Sequence, residues 1–261
     1  MDQTLALLST TLAVTAALML AVWVLSLVQK NASIVDIFWG LGFVAIAGVC
    51  YASADGFAAR KLLITALTAV WGIRLALYIL WRNAGKGEDF RYRAMRARHG
   101  KRFPLLSLFT VFGLQGLLMW IISFPLQVAE ISREPARLTW LDFGGVIVWL
   151  IGFLFESVGD FQLARFKADP KNEGKVMNRG LWRYTRHPNY FGDATVWWGF
   201  FLIALSTPSN WWTVISPLIM TGLLMKVSGV ALLEKTLRKT KPEYREYVQR
   251  TSAFFPWLPK R

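Results

Sequence analysis

Seven apolar stretches, most of them about as long as a membrane-spanning helix, constrain the fold of this chain more than any other feature. A helix needs about 20 apolar residues to cross the hydrocarbon core of a bilayer. The chain is 54% hydrophobic, above the roughly 45–50% of soluble domains. We therefore predict an all-α integral membrane bundle of seven transmembrane helices. The predicted spans are residues 5–28, 36–54, 62–81, 105–128, 139–158, 191–207 and 210–231.

The distribution of positive charge predicts how the chain is oriented in the membrane. The formal net charge is +14, and seven spans would place 24 of the 30 Lys and Arg residues on one side. Basic loops remain on the cytoplasmic side of a membrane. We expect the N-terminus outside and the C-terminus in the cytoplasm. Clustering at the membrane face indicates contact with membrane lipids and argues against nucleic acid as a partner.

No repeat or long polar segment divides the sequence, so we expect one membrane domain over residues 1–261. The first apolar stretch lacks the basic start and the cleavage site of a secretory signal and is expected to remain as a span. The Arg-rich segment 82–104 and the tail 232–261 have the composition of interfacial helices, and the tail ends in a Phe-Phe-Pro-Trp anchor. Pro170 is expected to end the helix that continues span five.

Several motifs for common chemistries are absent or out of context. Residues 40–45, Gly-Leu-Gly-Phe-Val-Ala, match a dinucleotide-binding pattern, but that pattern acts between a strand and a helix. Inside an apolar span, small residues indicate close helix packing instead. The two histidines, His99 and His187, and the single Cys50 lack partners at metal-ligand spacing. We therefore expect no metal site.

Charged and amide side chains gather around the loop that precedes span six. Two pairs have a four-residue spacing, which puts both members on one helix face, and basic residues lie between them. Such groups at a membrane face mark function, unless they only cap helices or pair between them. A basic entrance with carboxylates behind it suits a phosphate-bearing cofactor. The residues are Glu156, Asp160, Arg183, Arg186, His187, Asn189 and Asp193.

Two segments of this region carry a family resemblance. NRGLWRYTRHPNYFGDATVWWGFFLIA and KPEYREYVQRTSAFFPWLPK resemble the C-terminal part of the steroid 5-alpha-reductase family. ASIVDIFWG and WGIRLALYILWR are similar to its bacterial branch, which implies a bacterial inner membrane. The resemblance places a reductase signature at about residues 139–261. Isoprenylcysteine and phospholipid methyltransferases and sterol reductases share its R-H-P-x-Y region.

The resemblance implies NADPH-dependent reduction of the C=C bond of an α,β-unsaturated ketone in a steroid-like lipid. In this chemistry a hydride adds to the β-carbon while an acid polarises the ketone. The implied partners are a lipid-like small-molecule substrate and NADPH. Matched by motif, the cofactor-binding positions are Asp160, Lys167, Arg179, Arg183, Tyr184, His187, Asn189 and Asp193.

The resemblance does not by itself identify the residue that polarises the ketone. In the steroid reductases a Glu on helix two and a Tyr on helix three do this, and this chain does not reproduce that pair. Helix two offers Asp36, and helix three offers Tyr78 as a fallback, with Trp71 at the aligned position. Glu88, Tyr92 and Glu156 are the next candidates if neither of these is the acid. The pattern Ser33-x-x-Asp36 before an apolar run also fits a capping box, so a purely structural role for Asp36 stays open.

A membrane methyltransferase that uses S-adenosylmethionine is the alternative function. Those enzymes typically carry adjacent glutamates near the start of the last cytosolic helix, where this chain reads Leu233-Glu234-Lys235. The lysine suits the phosphates of NADPH better than a sulfonium. A non-enzymatic lipid carrier or transporter is a third alternative. It predicts Gly- or Pro-broken spans at matching places in two halves, which this sequence lacks.

Overall fold

The computed structural model describes residues 3–227, 234 and 243–260. Over these residues the backbone forms helices and turns without a strand, apart from one isolated parallel bridge between Thr185 and Ser252. The all-α prediction is confirmed for this part of the chain. The α-helices are α1 (Gln3–Gln29), α2 (Val35–Ser53), α3 (Ala58–Asn83), α4 (Phe90–His99), α5 (Phe103–Ser107), α6 (Leu114–Ile122), α7 (Phe124–Ile131), α8 (Trp140–Ala168), α9 (Pro188–Ala204), α10 (Ile215–Gly222) and α11 (Tyr244–Arg250).

Five helical runs within the described residues are long and apolar enough to cross a membrane. Each corresponds to one of the first five predicted spans. The protein is therefore a multi-pass integral membrane protein. The five runs are Gln3–Gln29, Ala32–Ser53, Ala58–Asn83, Phe90–Ile122 and Trp140–Ala168.

The last two predicted spans are not among these runs. Span six corresponds to α9, which has 17 residues. Span seven begins on a 3-10 helix, Pro208–Val214, and continues on α10 and a π-helical turn, Leu223–Val227. Its last residues, 228–231, lie outside the described part of the chain. Of the predicted C-terminal interfacial helix, α11 is described. The count of seven spans, the tail's interfacial position and the orientation of the termini stay predictions.

The fourth span begins earlier and ends earlier than predicted. Its helical run starts at Phe90 because it includes α4, and it continues through Pro104. Pro104 lies in the first turn of α5, where a helix needs no backbone N–H from it. The run ends at Ser123, whose hydroxyl donates to the Trp120 carbonyl at 2.7 Å. Pro125 then occupies the first turn of α7. The prolines at the starts of α5 and α7 therefore decide where this helical run continues and where it ends, which hydropathy alone does not predict.

The chain divides into two compact units. The first comprises Met1–Thr139 and Ala204–Asn210, and the second comprises Trp140–Ile203 and Trp211–Arg261. The second unit begins next to residue 139, the predicted start of the reductase signature. The expectation of a single membrane domain stays a prediction.

Glycines at 40 and 42 serve helix packing in the first unit. A Cβ atom on Gly40 would lie 2.5 Å from the carbonyl oxygen of Gly72, and one on Gly42 would lie 2.2 Å from Met119 Sδ. Distances this short leave no room for a side chain. The interpretation of Gly-x-Gly as a packing feature of a span, and not a nucleotide loop, is confirmed by these contacts.

In the second unit, α8 and α9 approach each other through glycines along their whole contact. A Cβ on Gly145 would lie 2.7 Å from the Gly199 carbonyl oxygen, and one on Gly152 would lie 2.7 Å from that of Gly192. The reciprocal positions are equally tight, since a Cβ on Gly192 would lie 2.3 Å from the Glu156 backbone nitrogen. Small residues at such crossings let two backbones touch in a membrane.

We expect Gly145→Ala to destabilise the protein by about 1–3 kcal/mol, because the added methyl group overpacks a backbone contact. Gly144→Ala is the matched control, since nothing lies within 4 Å of a Cβ at that position. There the lower flexibility of alanine should stabilise the helix by about 0.5–1 kcal/mol. Unfolding in detergent, followed by circular dichroism, measures both. Equal stabilities of the two variants would contradict the close α8–α9 packing.

Candidate functional site

Two of the predicted cofactor-binding residues, Asp160 and Asn189, meet where α8 and α9 come together. Asn189 Nδ2 donates to Asp160 Oδ1 at 3.1 Å, although the two residues are 29 positions apart. Gly159 allows the approach, since a Cβ there would lie 3.1 Å from the Asn189 backbone nitrogen. Asn189 Oδ1 is buried and accepts no hydrogen bond from the described residues. Buried polar atoms normally have a partner, so this oxygen is a candidate ligand contact.

The loop before α9 is held against α8 by specific bonds. Gln162 Oε1 accepts from the Leu181 backbone N–H at 3.0 Å, and Trp182 Nε1 donates to the Gly159 carbonyl at 3.0 Å. Gly180 has φ +60°, and a Cβ on it would lie 2.4 Å from Gln162 Nε2. A positive φ favours glycine. The Asn178-Arg179-Gly180 sequence therefore forms a turn that needs this glycine.

Arg186, His187 and Glu234 form a buried charged cluster at the end of this loop. Arg186 Nε donates to Glu234 Oε1 at 2.7 Å, and His187 Nε2 lies 3.5 Å from the same oxygen. Burial raises the pKa of Glu234, but its bonds to His187 and Arg186 outweigh burial and lower the pKa to about 2. Burial lowers the pKa of His187 in spite of the nearby carboxylate.

The C-terminal segment is bonded along this loop. The Arg186 backbone N–H donates to the Ser252 carbonyl at 2.9 Å, and Thr185 Oγ1 donates to the Phe254 carbonyl at 2.8 Å. The Trp257 backbone N–H donates to the Tyr184 carbonyl at 2.9 Å. We call residues 251–258 the C-terminal strap. It fixes the backbone of the loop that carries several predicted cofactor-binding residues.

The remaining predicted cofactor-binding residues differ in their exposure. His187 is 3% exposed and its ring stacks on Tyr190, with 5.5 Å between ring centroids. Asp193 is half-buried on α9. Most of the others present their side chains at the surface, where a phosphate could reach them. These exposed residues are Lys167, Arg179, Arg183 and Tyr184.

In the first unit, Asp36 belongs to a polar cluster with residues of the fourth span. Its Oδ1 accepts from the Tyr92 hydroxyl at 2.8 Å, and its Oδ2 accepts from Arg91 Nη2 at 2.9 Å. Gln115 Nε2 donates in turn to the Tyr92 hydroxyl oxygen at 3.2 Å. Tyr92 is 6% exposed. The cluster is thus a carboxylate, a phenol and an amide joined in a chain.

The capping-box interpretation of Asp36 is wrong. The N-cap of α2 is Ile34, which makes no side-chain cap bond. The preceding turn is capped by Asn31, whose Oδ1 accepts from the Ser33 backbone N–H at 3.0 Å. The Ser33 hydroxyl oxygen accepts from the backbone N–H of Asp89 at 3.2 Å. Because Asn31 takes over the capping role, the Asp36 carboxylate is used for side-chain contacts.

Glu88, another candidate acid in this region, is engaged by the fold. Its Oε1 accepts from the Ala32 backbone N–H at 2.8 Å and from Arg96 Nη2 at 2.7 Å. Burial raises the pKa of Glu88, but these bonds outweigh burial and hold the pKa below its usual value. Glu88 therefore pins the loop before α4 to the start of α2, next to Asp36.

Tyr78, the predicted fallback acid on α3, has basic neighbours. Its ring lies 5.2 Å from the Arg74 guanidinium carbon and 5.6 Å from that of Arg82. The tyrosine whose hydroxyl is bonded to Asp36 is Tyr92, on α4. The catalytic roles of Asp36 and Tyr78 stay predictions. The sequence analysis named Tyr92 only as a later candidate, behind Asp36 and Tyr78.

Glu130 is a buried acid that the sequence analysis did not select. It lies on α7, beyond the end of the fourth span, and is fully buried. Thr65 Oγ1 donates to its Oε1 at 3.1 Å, while Oε2 has no hydrogen-bond partner among the described residues. Burial raises the pKa of Glu130 to about 9. An acid within the apolar sequence Val-Ala-Glu-Ile was its only signal.

These features define an all-helical, multi-pass membrane protein with a buried polar cluster in each of its two units. The chain belongs to the family described as protein of unknown function DUF1295, whose profile matches residues 22–251. The match covers most of both units.

Two relatives are informative. An uncharacterised protein of Schizosaccharomyces pombe is 28% identical over 264 residues, which covers 90% of this chain and 76% of that protein. Rat 3-oxo-5-alpha-steroid 4-dehydrogenase 1 is 27% identical over 104 residues, which covers 40% of this chain and 38% of that enzyme. No solved structure is significantly similar to the chain. The chain is thus distantly related to a steroid 5-alpha-reductase.

We expect the stability of the protein to fall as pH rises from 4.5 to about 9 because of Glu130. The folded state keeps this carboxyl protonated, whereas the unfolded state releases the proton above its ordinary pKa, so alkaline pH favours unfolding. Glu130→Gln, which is always neutral, should remove this part of the pH dependence. Thermal unfolding midpoints in detergent across this pH range measure the effect.

Glu134→Gln is the matched control for this experiment. Glu134 is exposed, so its substitution should leave the pH profile unchanged. A Glu130→Gln profile that superimposes on that of the unsubstituted protein would show that Glu130 ionises normally in the fold.

Proposed function

We propose that this protein uses NADPH to reduce the C=C bond of an α,β-unsaturated ketone in a steroid-like lipid. When bound, NADPH supplies the hydride that adds to the β-carbon of the substrate. The observation that carries the proposal is the Asp160–Asn189 pair, whose Asn189 Oδ1 is buried without a hydrogen-bond partner among the described residues. Similarity to the rat 3-oxo-5-alpha-steroid 4-dehydrogenase 1 supports the reaction class.

The residues around this pair fit a phosphorylated dinucleotide. Asn189 Oδ1 can accept from an amide or a ribose hydroxyl, which are donors that NADPH offers. Lys167, Arg179 and Arg183 are exposed cations on α8 and the following loop, and such groups hold phosphates by charge-assisted hydrogen bonds. The second unit thus offers both kinds of contact. Asp193 and Tyr184 complete the proposed set on α9 and the loop.

Arg186 and His187 act by positioning the other residues of the proposed site. The Glu234 carboxylate is neutralised by Arg186 at 2.7 Å, which leaves the exposed cations of the loop available to an anion. His187 stacks on Tyr190 at the start of α9. This arrangement supports a polyanionic cofactor over S-adenosylmethionine, which carries a positive sulfonium and no phosphate. The methyltransferase alternative predicts binding of S-adenosylmethionine and none of NADPH.

The Asp36 cluster is the proposed source of the acid that polarises the ketone. The Tyr92 hydroxyl donates its single proton to Asp36 Oδ1 while Arg91 occupies Oδ2, so to polarise a ketone the phenol would exchange Asp36 for the ketone oxygen as its acceptor. Gln115 bonds the phenolic oxygen and fixes its direction. We therefore propose Tyr92 as the acid and Asp36 as its hydrogen-bond partner, with Tyr78 as the competing assignment.

The proposal includes the finer topology. Seven spans would put the loops 82–104 and 159–190 and the C-terminus on the cytoplasmic side, where NADPH is available, with the N-terminus outside. The excess of basic residues in these segments supports this orientation. The resemblance to a bacterial branch supports the inner membrane of a bacterium as the location.

Asn189→Ala and Asp193→Ala should each weaken NADPH binding at least about tenfold, as expected for the loss of a hydrogen bond to a charged or buried group. Thr195→Ala is the matched control on the same helix, because its hydroxyl donates to its own helix at the Phe191 carbonyl. Quenching or enhancement of NADPH fluorescence with purified protein gives the dissociation constants. Melting temperatures separate lost binding from lost folding, since losing a helix cap alone costs about 0.5–2 kcal/mol.

Binding of S-adenosylmethionine by the unsubstituted protein, with no binding of NADPH, would contradict the proposal and favour the methyltransferase. Unchanged NADPH affinity in both variants, together with a lower melting temperature, would assign Asn189 and Asp193 to structure alone.

Tyr92→Phe and Asp36→Asn should each lower the turnover of an enone such as progesterone by about 10²-fold or more, the usual contribution of general-acid help. NADPH affinity should change little, because the cofactor is assigned to residues of the second unit. Tyr78→Phe is the comparison variant. If Tyr78→Phe abolishes turnover while Tyr92→Phe retains it, the acid is Tyr78 and the Asp36 cluster is structural.

A further inference from the structure

The C-terminal strap exposes three large apolar side chains in four consecutive positions. Phe255 is 62% exposed, Trp257 is 75% exposed and Leu258 is 73% exposed. The backbone beneath them is held in place, since the Trp257 backbone N–H donates to the Tyr184 carbonyl at 2.9 Å. A firmly held segment that presents contiguous apolar side chains marks an interaction surface.

The position of the strap along α9 indicates what covers this surface. The rings of Phe254 and Phe255 lie 6.1 Å and 6.2 Å from that of Phe191, which is in the first turn of α9. From Pro188, α9 continues for 17 residues of apolar character, a length of about 25 Å at 1.5 Å per residue. If α9 enters the bilayer at its first turn, the strap lies at the membrane–water interface.

The polar residues around the strap are also typical of the membrane–water interface. A cleft of about 360 Å³ beside it is lined by Arg250, Trp257 and Lys260. Two further cations line the cleft and are paired, Arg250 with Glu246 at 2.8 Å and Arg186 with Glu234 at 2.7 Å, so Lys260 provides the positive charge of the cleft. Tryptophan beside lysine is typical of protein segments at the depth of the lipid headgroups, where the ring lies among the headgroups and the cation contacts their phosphates.

We propose that Phe255, Trp257 and Leu258 insert into the cytoplasmic interface of the bilayer, with Lys260 against anionic lipid headgroups. The strap then fixes the loop of residues 180–187 at the membrane surface, because Thr185 and Arg186 are bonded to it directly. The partner is the lipid surface itself. This assignment is independent of the cofactor and of the reaction proposed above.

Site-directed labelling in proteoliposomes tests the proposal. The single cysteine is removed by Cys50→Ala, and Trp257→Cys or Leu258→Cys is labelled with an environment-sensitive nitrobenzoxadiazole probe. Vesicles of phosphatidylcholine and phosphatidylglycerol carry a spin-labelled lipid quencher. Glu243→Cys is the control, since Glu243 is an exposed carboxylate just before α11. Labelled variants are used only if their melting temperature matches that of the Cys50→Ala parent.

We expect the probes at 257 and 258 to emit at shorter wavelength than the probe at 243 and to be quenched several times more strongly by the lipid quencher. Quenching at 257 should weaken when phosphatidylglycerol is replaced by phosphatidylcholine or when Lys260→Gln is introduced. Emission and quenching at both positions equal to those at 243 would overturn the proposal. Strong lipid quenching that changes neither when phosphatidylglycerol is removed nor when Lys260→Gln is introduced would overturn the proposed contact of Lys260 with anionic headgroups.

Discussion

Backbone contact between α8 and α9 is the interaction on which the second unit depends. In a bilayer, lipid is as apolar as the side chains, so two helices gain from packing and not from escaping water. The paired glycines, Gly145 with Gly199 and Gly152 with Gly192, let the two backbones touch at the crossing. Only at this separation can Asn189 reach Asp160 across the two helices. The candidate cofactor contact is thus a consequence of how closely the helices pack.

The charges of Arg186 and Asp36 are tolerated because each meets an opposite charge and further hydrogen-bond partners. Arg186 is paired with Glu234 and also donates to the carbonyls of Val248 and Thr251, and Asp36 accepts from Arg91 and Tyr92. Removing one member of a buried ion pair typically costs about 3–5 kcal/mol, since its partner is left uncompensated. Ion pairs therefore hold the same loops that carry the candidate functional groups.

Sequence patterns predicted the features of the fold that depend on local composition. Apolar length located the first five spans, and the small residues at Gly40 and Gly42 indicated packing. The four-residue spacings put Asp160 on one helix face with Glu156 and Asn189 on one with Asp193, but the bond between Asp160 and Asn189 depends on the α8–α9 crossing, which no spacing within one helix encodes. Tyr92 ranked behind Asp36 and Tyr78 as a candidate acid, because its contact with Asp36 joins residues 56 positions apart and depends on how α4 meets α2. The capping box failed since Asn31, two residues before Ser33, competes for the same backbone N–H.

The R-H-P-x-Y motif illustrates how far a resemblance can be carried. Read as a string, Arg186, His187 and Asn189 form one cofactor signature. In the fold, Arg186 and His187 are buried against Glu234, whereas Asn189 turns towards Asp160 and keeps an oxygen without a described partner. The first two shape the loop and the third is available to a ligand. A motif match therefore transfers the location of a site, and the role of each residue follows from its own contacts.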